Sequence, residues 1–292
     1  MDSKTSFLTG LIGAGIGASL SPPLHEREAE LHGLRLLYRL LDLNAMNLDV
    51  AKTPGLLTTA RQMGFAGVNI THPCKQVVLG HLDGLSPAAA AIGAVNTVVF
   101  RDGKATGHNT DWLGFAHNMR RGLPGVPMRH VVLLGAGGAG AAAAHAVLTL
   151  GADAVTVVDV DRRRADTLAE RLRGQFAGKR IMAGDVALLE PCLATADGLI
   201  HATPTGMTAN PGLPLPPDAL RPHLWVADLV YTPLDTELLR HARAVGCRTL
   251  DGGGILVFQA AEAFRLFTGV EPDAERMLRH FDTLVGRAPA RL

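Results

Sequence analysis

Gly135-Ala136-Gly137-Gly138-Ala139-Gly140 is the stretch on which the fold of this chain turns. It follows an apolar run, Val131-Val132-Leu133-Leu134, and opens a helix-like run from Ala141 to Leu150. Downstream, Val155-Thr156-Val157-Val158 ends in Asp159. Strand, glycine turn, helix, strand and acid, in that order, make a dinucleotide-binding unit. Gly135 permits the tight turn, Gly137 lets the main chain approach a pyrophosphate, and Gly140 lets the helix pack on the strand. With Gly138 and Ala139 between them, the turn aims the N–H groups and the positive dipole end of the helix at the phosphates.

Asp159 lies 22 residues after Gly137. There a carboxylate accepts hydrogen bonds from the adenosine ribose hydroxyls, and a 2′-phosphate meets like charge, so NAD is expected over NADP. Asp161 and Arg162-Arg163-Arg164 follow closely. An arginine there, Arg164 among the cofactor-side candidates, is the group that would grip a 2′-phosphate, which keeps NADP as the lesser expectation.

The bulk composition sets the frame. A chain of 292 residues is long enough for two domains, and 47% hydrophobic with 19% charged residues is ordinary for a globular protein with a substantial core. A net charge of +1 and 4% aromatics argue against nucleic acid and anionic membrane surfaces as partners. Cys74, Cys192 and Cys247 form no CxxC pair, and the twelve histidines show no HExxH spacing, so no disulfide framework or metal site is expected. Met1 to Ser6 lack the apolar core of a signal peptide, and no apolar run reaches membrane-spanning length. A reducing cytoplasm is the expected location.

The first third alternates strand and helix signals: strands at 7–12, 36–41 and 67–70, helices at 22–33, 54–63 and 73–79. Segments 95–100 and 104–108 flank Arg101-Asp102-Gly103, a hairpin turn signal. A helix over 111–121 joins this unit to the next, which adds strands at 198–202, 224–230 and 247–250. Gly252-Gly253-Gly254 reads as a flexible break before two closing helices, 255–267 and 272–285. The expected architecture is α/β, with a substrate-binding catalytic domain (1–110 and 252–292) and a doubly wound Rossmann-type domain (111–251). The ligand is expected outside the carboxyl ends of the strands.

Polar residues cluster where strands end: Ser19, Ser21, Asn69, Thr71, Lys75, Asn96, Thr97, Asn109, Thr110, Asp111, Tyr231 and Gln259. A dehydrogenase of alcohols needs a group to take the hydroxyl proton and hydrogen bonds to fix the carbon against the nicotinamide. Lys75 suits the first task if burial or a neighbouring cation lowers its pKa. Taken singly, each has an ordinary reading: Lys75 a solvated lysine, Asp111 or Ser21 a helix N-cap, Asn96 a turn residue, Tyr231 a packed aromatic.

Taken together, they resemble the shikimate and quinate dehydrogenases. The resemblance runs through Ser19-Leu20-Ser21-Pro22, Gly67 to Lys75, Gly93 to Thr97, Gly107 to Asp111 and Gly135 to Gly140. It continues in Ala202 to Met207, Asp228 to Pro233 and Gly252 to Gln259, and so covers almost the whole chain in order. It implies that Lys75 and Asp111 form the catalytic pair, and that Ser19, Ser21 and Tyr231 bind a substrate carboxylate. By the same resemblance Thr71, Asn96 and Gln259 hold ring hydroxyls, and Thr203, Pro204, Met207, Val230 and Gly254 lie on the cofactor side. The biosynthetic NADP branch of the family carries Asn-Arg-Thr where this chain has Asp159-Val160-Asp161. His72-Pro73-Cys74-Lys75 is similar to the NAD-dependent quinate/shikimate branch.

The expectation is an NAD-dependent enzyme interconverting shikimate and 3-dehydroshikimate, and also quinate and 3-dehydroquinate, with a homodimer as an open possibility. An NADP-dependent shikimate dehydrogenase, an aminoshikimate dehydrogenase and a non-catalytic ligand sensor are the alternatives.

Overall fold

The computed structural model describes residues 5–287. It divides into two compact units, one running to Thr110 and resuming at Val257, the other Asp111–Leu256. The second crossing falls inside a helix and not at Gly252, where the sequence suggested a break. Gly252 to Gly254 are buried and Gly253 opens that helix. A Cβ on Gly252 would stand 2.6 Å from the Leu229 carbonyl oxygen, and one on Gly254 would stand 2.0 Å from Asn118 Oδ1. These glycines serve close packing.

The first unit begins with β1 (Ser6–Gly13), α1 (Ser21–Leu31), β2 (Arg35–Asp42), α2 (Thr53–Gln62) and β3 (Gly67–Ile70). It continues with β4 (Gly84–Leu85), α3 (Pro87–Ile92), β5 (Thr97–Arg101) and β6 (Lys104–His108). The sheet order is β2-β1-β3-β5-β6-β4. β1 pairs in parallel with β2 and β3, while β5 runs antiparallel to β3 and β6. The hairpin between β5 and β6 turns on Asp102 and Gly103, both with positive φ (51° and 73°), the geometry that matches strand twist in a two-residue loop.

The second unit runs α4 (Asp111–Gly122), β7 (Val131–Leu134), α5 (Gly138–Thr149), β8 (Ala154–Val158), α6 (Arg162–Gln175) and β9 (Arg180–Gly184). Then come α7 (Leu189–Leu193), β10 (Gly198–His201), β11 (Trp225–Asp228), α8 (Glu237–Val245) and β12 (Arg248–Leu250). All strands are parallel, in the order β12-β11-β10-β7-β8-β9. Every residue of β7, β8, β10 and β11 is buried, as expected of parallel strands covered on both faces. Strand order reverses between β7 and β10, which places the ligand crevice outside their carboxyl ends. The chain returns to the first unit through α9 (Gly253–Thr268) and closes with α10 (Ala274–Leu284).

Two local expectations are corrected. Residues 73–78 form successive turns, not an α-helix, and Leu79 opens a short 3-10 turn, Leu79–His81. The Lys75 carbonyl, which a helix would give to the Leu79 N–H, accepts instead from Val95 N at 2.9 Å, and Leu79 N turns back to the Gln76 carbonyl. Ser21 is the first helical residue of α1 and caps nothing; its own N–H donates to Ser19 Oγ at 3.2 Å.

Candidate active site

The glycine turn is built as its spacing requires. Gly135 has φ +106°, and a Cβ there would lie 2.7 Å from the Ala202 carbonyl oxygen. A Cβ on Gly140 would stand 1.9 Å from the Gly135 carbonyl oxygen, so only glycine lets α5 leave the turn this closely. A Cβ on Gly137 would meet nothing, which leaves an open approach over the start of α5. Gly137 gives α5 no side-chain cap, so the first-turn N–H groups keep their capacity for an anion.

Asp159, only 8% exposed, is tied to that turn. Its Oδ2 accepts from Ala136 N at 2.7 Å and its Oδ1 from Asp161 N at 2.9 Å. The acid therefore fixes the shape of the turn as well as ending β8, and the Ala136 N–H is not among those offered to a phosphate. Asp161 caps α6 by accepting from Arg163 N, and its other oxygen lies 3.7 Å from Arg164 Nε. Arg162 pairs with Asp166.

At the carboxyl ends of β10 and β11 lies a buried relay that sequence reasoning missed. Thr203 Oγ is 2.6 Å from His201 Nε2, and His201 Nδ1 is 2.9 Å from Asp228 Oδ1. Asp228 also accepts from Val230 N at 3.0 Å and from the Thr236 hydroxyl at 2.7 Å. The side chains of His201 and Asp228 are wholly buried. Two of the cofactor-side candidates, Thr203 and Val230, are thus joined through one histidine and one acid. Pro204 accepts from Met207 N, and Met207 is 39% exposed in the loop that follows.

In the first unit, Asn96 and Gln259 come together, with Asn96 Nδ2 3.3 Å from Gln259 Oε1. Asn96 Oδ1 accepts from Thr110 N at 2.7 Å, which orients its amide. Asn69 Nδ2 donates to Thr97 Oγ at 2.9 Å and to the Asn96 carbonyl, and Asn69 Oδ1 accepts from the Tyr38 hydroxyl at 2.7 Å. Tyr38 also hydrogen-bonds the Ser21 side chain, and burial pushes its phenol well above the ordinary range. A polar chain thus runs from Ser21 to Gln259 through Tyr38, a residue the sequence reading passed over as part of an apolar strand. Ser19 sits on the loop that Asp42 holds through Gly15 N and Ile16 N, both at 2.9 Å. Thr71 accepts from Cys74 N at the turn that carries Lys75. Cys74 is buried, and burial pushes its thiol up despite a hydrogen bond from Thr53, as suits a packing residue.

Asp111 opens α4, where the helix dipole favours its charge. Tyr231, in the same unit, is 43% exposed. Desolvation and the Asp111 charge both raise its phenol, so it remains a hydrogen-bond donor at neutral pH. Among the described residues no cluster of His, Cys, Asp or Glu suits a metal ion, and no helix is long and apolar enough to cross a membrane.

An all-parallel sheet with an open glycine turn, an uncapped helix start and a terminal acid fits a nicotinamide dinucleotide. With a second α/β unit rich in hydroxyl and amide groups, it defines a two-domain dehydrogenase. The family models agree with that class. Residues 11–98 match the shikimate dehydrogenase substrate binding domain, 114–213 the alanine dehydrogenase/PNT C-terminal domain, and 252–280 the shikimate 5′-dehydrogenase C-terminal domain. A shikimate dehydrogenase (NADP(+)) of Streptomyces avermitilis is 58% identical over 289 residues, 99% of each chain. A quinate/shikimate dehydrogenase (NAD(+)) of Corynebacterium efficiens is 46% identical over 96% of this chain and 99% of its own. The solved quinate dehydrogenase from Corynebacterium glutamicum in complex with NAD superimposes with a TM-score of 0.89 at 44% identity, over 96% of this chain and all of the other. The chain belongs to the shikimate dehydrogenase family.

Proposed function

We propose that the protein oxidises shikimate, and quinate as well, with NAD, and runs both reactions in reverse. The observation that carries the cofactor assignment is Asp159, a buried carboxylate at the end of β8 locked onto the glycine turn by Ala136 N. A 2′-phosphate beside it would be repelled, and the carboxylate cannot swing away without releasing the turn.

In the forward direction the alcohol carbon loses hydride and its hydroxyl loses a proton. A nicotinamide dinucleotide, when bound, would supply the hydride acceptor. Lys75 takes the proton, and Asp111 orients the ammonium that results. Ser19, Ser21 and Tyr231 hold the substrate carboxylate through neutral hydroxyls. Thr71, Asn96 and Gln259 hold the ring hydroxyls; the Asn96–Gln259 contact means that each side chain orients the other. The substrate itself is a small molecule, and the reading needs no metal.

The relatives divide on cofactor: the Streptomyces enzyme is named for NADP and the Corynebacterium enzyme for NAD. Initial rates with shikimate and with quinate, each with NAD and with NADP, decide the matter. Turnover of both acids with NAD is expected. Turnover of shikimate alone, and only with NADP, would overturn the role of Asp159 and favour the second reading, an NADP-dependent shikimate dehydrogenase.

A further inference from the structure

The relay Thr203–His201–Asp228 has a direction that follows from its ends. Asp228 accepts hydrogens from Val230 N, Thr236 Oγ and the His201 ring. A carboxylate has no hydrogen to give back, so His201 carries its proton on Nδ1. In the neutral ring that tautomer leaves Nε2 bare, since a neutral imidazole carries its one hydrogen on a single nitrogen. The Thr203 hydroxyl must then donate its single hydrogen to Nε2, at 2.6 Å. Thr205 N donates to the same oxygen at 3.3 Å. What Thr203 has left is one lone pair and no hydrogen.

The place of Thr203 says what that lone pair meets. It follows β10, and its methyl group lies 3.0 Å from where a Gly135 Cβ would be, at the crevice where strand order reverses. With pyrophosphate over the glycine turn and the adenosine half toward Asp159 on β8, the nicotinamide half must run to the β10 side.

The geometry points to His201 as a positioning residue for the cofactor: by holding the Thr203 hydrogen inward, it makes Thr203 an acceptor for the N–H of the nicotinamide carboxamide. This rests on the dinucleotide reading above and adds to it a residue, a tautomer and a hydrogen-bond polarity.

The test is calorimetric binding of NAD and of 3-acetylpyridine adenine dinucleotide, which keeps the ring carbonyl but has no carboxamide N–H. Thr203→Val should weaken NAD about tenfold, one hydrogen bond's worth, and leave the analogue within about twofold. Thr203→Ser should restore NAD binding. His201→Asn keeps an N–H for Asp228 but offers Thr203 no acceptor, and should mimic Thr203→Val. The ring nitrogens of His201, read by nitrogen-15 NMR, should show a protonated Nδ1 and a bare Nε2. Equal loss of both dinucleotides in Thr203→Val, or a protonated Nε2, would overturn the proposal. Failure of the wild-type protein to bind NAD or NADP at all would instead overturn the reading beneath it.

Discussion

Asp159 Oδ2 accepts the main-chain hydrogen of Ala136 at 2.7 Å, so the acid at the end of β8 and the glycine turn after β7 form one rigid piece. Replacing Asp159 therefore has two separable effects. Asp159→Asn keeps an oxygen for Ala136, gives up the one that Asp161 N uses, and removes the charge. The ratio of kcat/KM for NADP to that for NAD should rise roughly a hundredfold, because like-charge juxtaposition costs several kcal/mol. Asp159→Ala frees the turn too, and should lose affinity for both dinucleotides. An unchanged cofactor ratio in Asp159→Asn would show that the carboxylate does not exclude the phosphate.

Two glycines of the same turn should fail differently. Gly137→Ala places its methyl group in open space, so thermal stability should hold while dinucleotide binding weakens. Gly140→Ala drives a methyl into the Gly135 carbonyl and should lower stability by about 1–3 kcal/mol, the usual cost of overpacking. Thermal melts with and without NAD distinguish them.

Lys75 is carried on a turn whose shape is pinned by the bond from Val95 N to its own carbonyl. Lys75→Met leaves that main-chain bond in place. It should cut kcat by about a thousandfold, within the range of a lost general base, with the NAD dissociation constant unchanged. Near wild-type turnover would remove Lys75 from the proton path.

Glu28 on α1, buried, and Arg276 on α10, partly exposed, form a clamp. The Glu28 side chain is 2% exposed; it takes Arg276 at 2.7 Å and 3.0 Å, Asp273 N at 2.8 Å and His32 at 3.0 Å. Burial alone would raise the carboxyl pKa, but the hydrogen bonds from Arg276, Asp273 and His32 outweigh it and hold the group below its ordinary 4.5. A depressed carboxylate adds stability above its unfolded pKa and loses it as pH falls through the folded value. Glu28→Ala should therefore cost about 1.5–3 kcal/mol near neutral pH, as for lost hydrogen bonds to a charged group, and progressively less in acid below that ordinary value. Urea unfolding across pH measures it; a pH-independent difference would contradict the assignment.

Much of this was legible in the chain. β7, α5 and β8 follow from an apolar run, a glycine turn and a second apolar run, because local spacing alone fixes that unit. The hairpin at Asp102-Gly103 was legible for the same reason. The misread segments are those settled by distant partners. Residues 73–79 open on a proline as a helix does, yet Val95 takes the carbonyl that a helix would need. Gly252 to Gly254 read as flexible, since nothing nearby in sequence reveals Leu229 or Asn118 packed against them. α6 hides its stripe of Ala165, Leu168, Ala169 and Leu172 among charges. Among the candidate site residues, Ser, Asn and Lys at strand ends are picked out by position alone. Tyr38 and His201 are not, because each sits inside an apolar strand and becomes polar machinery only when Asn69 or Asp228 is folded against it.

The return of the chain through α9 gives the two units different histories on the ribosome. Asp111–Leu256 is contiguous and has all its strands once β12 has emerged. The first unit, though begun earlier, keeps the Glu28 carboxylate without its guanidinium until Arg276, 248 residues further on, leaves the tunnel. The nucleotide unit is thus the first that can mature, and the segment made before it waits for residues made after it.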